Sequence, residues 1–175
     1  PTGPQGPEGK HQVKIISTLA AAGDTLTNST TEAVLASHEF PAYFWQPGKV
    51  VDIQAYAAVA SSNATDTLTA TVRFGSTALA GGALAATSAL DVADDDIVSC
   101  LVRLSCRTAG TAGVIVAEVL LAEDASGTSP KAHASVVTAV DTEASTYASI
   151  TGAWSVAHAD NQVAAQTFSV AEGSA

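Results

Sequence analysis

The stretch TLTATVRF (67–74) decides the fold class, since its residues alternate without a break. Leu68, Ala70, Val72 and Phe74 fall on one side of an extended chain, and Thr67, Thr69, Thr71 and Arg73 on the other. Successive strand side chains point to opposite faces, so this period of two predicts a half-buried β-strand. Working outward, VVDIQAYAAV (50–59) repeats the pattern: Val51, Ile53, Ala55, Ala57 and Val59 oppose Asp52, Gln54 and Tyr56. In IVSCLVRLSCR (97–107), Val98, Cys100, Val102, Leu104 and Cys106 form the inner row, with Ser99, Arg103, Ser105 and Arg107 outside. In SITGAWSV (149–156), Ile150, Trp154 and Val156 oppose Ser149, Thr151 and Ser155.

Further strands are expected at 13–18, 33–39, 114–122, 134–140 and 163–171. Between the strands lie SSNATD, ALAGGA, TAGTAG, DASGTSP and HADN, residue types that accept turn geometries. No segment carries a sustained 3.6-residue period with caps. Eight to ten short strands at this spacing predict an all-β sandwich or barrel. VIVAEVLLA (114–122) is apolar on both faces, so it is expected to be covered twice, by the core and by a neighbouring subunit.

The chain opens PTGPQGPEGK. Gly3, Gly6 and Gly9 recur every third residue, with Pro1, Pro4 and Pro7 at a fixed offset. Three polyproline-II strands wind together only where a residue without a side chain faces the axis at every third position. A flexible linker needs glycine but not that period. At ~3.1 Å per residue the nine residues span about 28 Å, too short to hold as a triple helix alone. Residues 1–10 therefore read as the end of a collagen-like stalk, and 11–175 as a trimeric knob domain that clamps it. With no Met and a Pro at position 1, the chain reads as the C-terminal part of something longer.

Charged residues make up 14% of the chain, and Thr, Ser and Ala fill the gap, as suits β-strands with hydroxyl-lined faces. The net charge is −10, and the seven basic residues are scattered. There is no basic patch to hold phosphates, so no nucleic-acid partner is expected. Nor is membrane insertion, as no apolar run approaches the ~18 residues of a spanning helix. Cys100 and Cys106 would sit on one face of one strand, about 20 Å apart at ~3.3 Å per residue. A disulfide needs Cα atoms within about 7 Å, so both read as buried free thiols, consistent with assembly in a reducing cytosol.

Three segments occur in the order FPAYFWQPGKVVDIQAYA (40–57), ATVRFGSTAL (70–79) and ITGAWSVAHADNQVAAQTFSV (150–170). Together they resemble the jelly-roll knob domains at the C-termini of tailed-phage virion proteins, which are TNF/C1q-like in shape. The shared features are an aromatic segment with a Pro-Gly turn before a first long strand, an RFG strand end, and a late Trp strand turning through an Asn. The likeness spans roughly residues 30–172. It implies a jelly-roll β-sandwich, homotrimeric, in a collagen-stalked fibre or capsid-surface (decoration) protein located in the virion. Such a protein would contact other virion proteins or a host cell surface. The matched positions are turns and core, so no functional residue carries over. The alternative is a secreted or spore-surface C1q-like collagen-containing ligand-binding protein. The absence of paired cysteines and of an evident calcium loop counts against it.

FPAYFW holds four of the nine aromatic residues. Phe40, Phe44 and Trp45, with Trp154 and Phe168, are expected in the core or the trimer interface; the competing reading is a ligand-stacking patch. DVADDDI (91–97) gathers four carboxylates, but its spacing is not that of an EF-hand loop, and it reads as a solvated acidic loop. The four histidines are far apart and form no zinc motif. No Gly-x-Ser-x-Gly elbow or phosphate loop is present. Neither a catalytic residue nor a metal nor a cofactor is expected.

Overall fold

The computed structural model describes residues 14–18, 23–63, 65–79, 81–124 and 129–173. The collagen-like triplets, with Gly3, Gly6 and Gly9, lie outside the described residues, as does the proposed boundary near residue 10. The described residues form strands and turns with no helix.

There are twelve strands among the described residues, more than the eight to ten expected. In chain order they are β1 (Lys14–Thr18), β2 (Thr25–Thr27), β3 (Ala33–Phe40), β4 (Val50–Ser61), β5 (Thr67–Gly75) and β6 (Gly82–Ala86). They continue with β7 (Leu90–Asp91), β8 (Ile97–Thr108), β9 (Gly113–Asp124), β10 (Ser129–Val140), β11 (Thr146–Trp154) and β12 (Gln162–Gly173). The first sheet runs β1-β12-β4-β8-β9-β10, with β2 also on β12; the second runs β3-β11-β5-β6, with β7 also on β5. Every pairing is antiparallel. The two sheets pack face to face as a β-sandwich.

The core is built from the inward rows. On β4 these are Val51, Ile53, Ala55, Ala57 and Val59, and on β8 Val98, Cys100, Val102, Leu104 and Cys106, all buried. Leu68, Ala70, Val72 and Phe74 of β5 face them from the second sheet, also buried. Both cysteines are free and buried, and burial pushes the Cys100 thiol up to about 12.

Four features differ from the sequence reading. The strand expected to run to Val156 stops at Trp154, because Ser155 turns: its N–H donates to the Thr67 carbonyl at 2.8 Å and its Oγ accepts from the Thr67 N–H at 2.9 Å. Val156 is therefore 48% exposed rather than part of the inner row. The turn expected at DASGTSP is shorter, since β10 already includes Pro130; an edge strand tolerates the missing N–H. Likewise ALAGGA is not all turn, since β6 starts at Gly82. The side chains of Ser149 and Thr151, on the outward row of β11, are also buried. Residues 76–79 fold back towards that face, and Ser149 Oγ donates to the Ala78 carbonyl at 2.5 Å. Gly75 and Gly81 permit the fold-back: a Cβ on Gly81 would lie 2.8 Å from the Phe74 carbonyl carbon.

Several strands carry bulges. Ala165 pairs with Ala57 and Thr167 with Tyr56, so Gln166 is an extra residue on β12. The inward row thereby changes phase, from Val163 and Ala165 before the bulge to Phe168 and Val170 after it.

Candidate contact surface

The aromatic segment divides between core and surface. Phe40 and Trp45 are buried, Phe44 is half-buried, and Tyr43 is 65% exposed. Phe40, Trp45 and Phe74 pack with ring centroids 4.9 to 6.4 Å apart. Trp45 Nε1 donates to Thr146 Oγ1 at 2.9 Å. Phe44 packs on Phe40 and Trp45, and the Lys49 ammonium sits 3.9 Å over its ring. Gly48, at φ +88°, completes the turn into β4. Tyr43 holds a left-handed backbone (φ 62°) that a bulky residue rarely adopts, pinned by its N–H on the Thr142 carbonyl at 3.0 Å. Trp154 and Phe168 are both buried. Unlike Trp45, Trp154 has no hydrogen-bond partner for Nε1 among the described residues. These five aromatic residues thus lie in or against the core of one chain.

Two polar knots hold the loops. At the end of the sandwich where β4 meets β5, Asn161 is fully buried. Its Nδ2 donates to Asp66 Oδ2 at 2.8 Å and to the Val156 carbonyl at 3.1 Å, and its Oδ1 accepts from the Asn63 N–H at 2.9 Å. On the second sheet, Arg73 grips Glu32 through Nε (2.7 Å) and Nη2 (2.6 Å) and reaches the Gly81 carbonyl at 2.9 Å. Thr151 Oγ1 also donates to Glu32. The Arg73 hydrogen bonds hold the Glu32 carboxyl below the usual carboxylate range.

The acidic loop is braced from within. Asp94 Oδ1 accepts from the Ser62 N–H and Asp96 Oδ2 from the Ala93 N–H, each at 2.7 Å. Among the described residues no three His, Cys, Asp or Glu side chains converge as metal ligands. Among them, too, no helix is long and apolar enough to cross a membrane.

A further candidate surface is the outward face of the first sheet. Its register places residues in rows across the strands. One row runs Ile15, Ala171, Asp52, Arg103, Glu118, Ser135. On one side of it lie Val50, Ser105, Val116 and Val137; on the other, Ser169, Gln54, Leu101, Leu120 and His133. Arg103 makes a two-pronged pair with Asp52, Nε to Oδ1 at 2.7 Å and Nη2 to Oδ2 at 3.0 Å, and this pair keeps its guanidinium firmly protonated. An open groove of about 590 Å³ lies over Asp52, Gln54, Leu101, Arg103, Leu120 and His133.

Aliphatic side chains flank this charged centre. Leu101 is 42% exposed, Val137 65% and Ile15 66%. The VIVAEVLLA segment has one face buried in the core (Ile115, Ala117, Val119, Leu121), while Val114, Val116 and Leu120 on the other face are half-exposed. Leu101 was legible in the sequence, because the alternation that buries Cys100 and Val102 turns it outward. Ile15 was not, because a bulge at Ile16 breaks the alternation of β1. A surface of this kind suits contact with another protein surface.

No known family profile matches the chain, and no curated protein matches it. Among solved structures there is a match to infectious bursal disease virus, Gx strain, at 13% identity and a TM-score of 0.33. It covers 93% of this chain, which spans 42% of that chain's length.

Proposed function

We propose that the chain is a non-enzymatic structural protein of a tailed-phage virion: a homotrimeric, collagen-stalked fibre or capsid-surface (decoration) protein with a jelly-roll knob. The observation that carries this reading is the strand order. In a jelly roll the chain passes repeatedly between two four-stranded sheets. Here β3 lies in the second sheet, β4 in the first, β5 to β7 in the second, β8 to β10 in the first, β11 in the second and β12 in the first. The orders β1-β12-β4-β8 and β3-β11-β5-β6 supply the two rows of four that such a fold requires, which supports the reading, and the hairpin β9–β10 widens the first sheet. The Gly-x-x register of residues 1–9 supports three chains, since a lone chain has no use for it.

The mechanism is geometric. Three knobs fix the register of three stalk chains and present three copies of one outer surface. Tripling a weak contact raises avidity by about two to four orders of magnitude without new chemistry. The partners are other virion proteins or a host cell surface.

The test has two arms. Light scattering should give a mass near three times 17.5 kDa, and a chain shortened to start at Gln12 should remain a trimer, because the apolar area lies in the knob. Antibody labelling should find the protein on the surface of the phage particles that encode it. A mass of one chain for the full protein, or its absence from the particles, refutes the reading.

A further inference from the structure

We infer that the contact between copies is edge to opposite edge on the first sheet, with the β10 edge of one copy seated against the β1 edge of the next in a closed ring of three. The inference rests on the trimer reading above and adds the surface.

Ile15 and Val137 are the two most exposed aliphatic side chains of the first sheet, and they lie on its opposite edge strands. They also lie at nearly the same height. Ile15 is in the row that ends at Ser135, and Val137 is in the next row. That is the end of the sheet where Lys14 pairs with Glu172, so the chain leaves there towards the Gly-x-x triplets. Three chains that converge on one stalk must bring these ends together.

The guarding of β10 is uneven in the same sense. Natural sheet edges are protected by Pro and by charge. Pro130 and Lys131 protect the far half of β10, whereas SVVTAV (135–140) carries neither Pro nor charge. The bare half is the half level with Ile15.

The centre of the face does not fit a contact. Covering it would bury the Asp52–Arg103 pair together with Glu118, three charges with a net of −1 and incomplete pairing. Ile15 and the half of β10 from Ser135 to Val140 are themselves uncharged, and Lys14, the charge beside Ile15 on β1, is exposed. A self-complementary two-fold contact would bring one patch against itself, while two different patches on opposite edges make a heterologous contact, which forms a ring when its rotation closes. The triplets set the ring size at three.

The test uses the full chain with Ile15→Cys and Val137→Cys together, treated with a short bis-maleimide and read on a denaturing gel. Cys100 and Cys106, at 2% and 3% exposure, stay unreactive, so wild type treated alike is the blank. The double variant should give covalent species up to three chains and no larger, and each single variant none. Val137→Asp should lower the light-scattering mass from three chains to one while the circular dichroism spectrum stays that of the folded sandwich. Cross-linked pairs from Val137→Cys alone would overturn the ring in favour of a two-fold contact. A wild-type mass of three chains, with no cross-linking of the double variant and a trimeric Val137→Asp, would overturn the edge contact and leave the trimer standing. A wild-type mass of one chain would remove the trimer itself.

Discussion

Trp45 and Trp154 are both almost fully buried, yet one indole N–H is paired and the other is not, so replacing each by Phe should have unequal effects. Both substitutions remove the same atoms and leave a similar small cavity. Trp45→Phe also deletes the 2.9 Å bond to Thr146 Oγ1, whose residue is 1% exposed, and leaves that hydroxyl buried without its donor. Leaving a buried polar group unsatisfied costs about 1–3 kcal/mol. Trp154→Phe instead removes an N–H that already bears such a penalty, so about 1–3 kcal/mol returns and offsets the lost packing. Trp45→Phe should therefore be the more destabilising, by about 2 kcal/mol or more. The assay is urea unfolding followed by circular dichroism at a single protomer concentration, since assembly makes stability concentration-dependent. A Trp154→Phe variant as destabilised as Trp45→Phe would refute the reasoning, because the lone donor would then have a partner.

Asn161→Ala should destabilise the sandwich by about 1–3 kcal/mol by leaving Asp66 and the Asn63 N–H without their partner, whereas Ala159→Ser, at an exposed neighbouring position, should change little in the same unfolding assay. Glu32 has a folded-state pKa held below its unfolded value, so its contribution is complete above the ordinary carboxylate range and is lost as pH falls through the folded pKa. Glu32→Gln should accordingly lower stability at neutral pH and flatten the decline below about pH 4.3, near the unperturbed Glu value, which a series of thermal melts from pH 6 to pH 2 would register; parallel curves would count against the Arg73–Glu32 link.

The strands that alternate without interruption were legible from the sequence to within a residue or two. β4, β5 and β8 need only a period of two, a property local to the chain. The short strands β2, β6 and β7, at two to five residues, were not expected, because segments this short hold too few alternations to stand out. They form where a longer neighbour, β12 or β5, offers free backbone groups. Glu32, Arg73 and Thr151 stand far apart in sequence, and only the pairing of β5 with β11, with Arg73 opposite Ser149 and Thr151 opposite Thr71, makes the last two diagonal neighbours. The contact surface was legible in part. VIVAEVLLA announced a second apolar face, whereas Ile15 and Val137 became neighbours in height only once six strands were laid in register.

From the amino-acid sequence alone came the all-β class, the inward rows of the long strands, the two unpaired thiols and the period-three opening, since each follows from spacing along one chain. Tertiary structure alone decided where that spacing breaks. The extra residue Gln166 shifts β12 so that Phe168 and Val170, rather than Thr167 and Ser169, face the core. The fold-back at Ala78 takes up the Ser149 hydroxyl, which alternation would leave in water. A bulge and a fold-back are settled by what lies across the sheet, where a partner strand supplies hydrogen bonds and a covering loop supplies carbonyls, and neither partner is a neighbour in sequence.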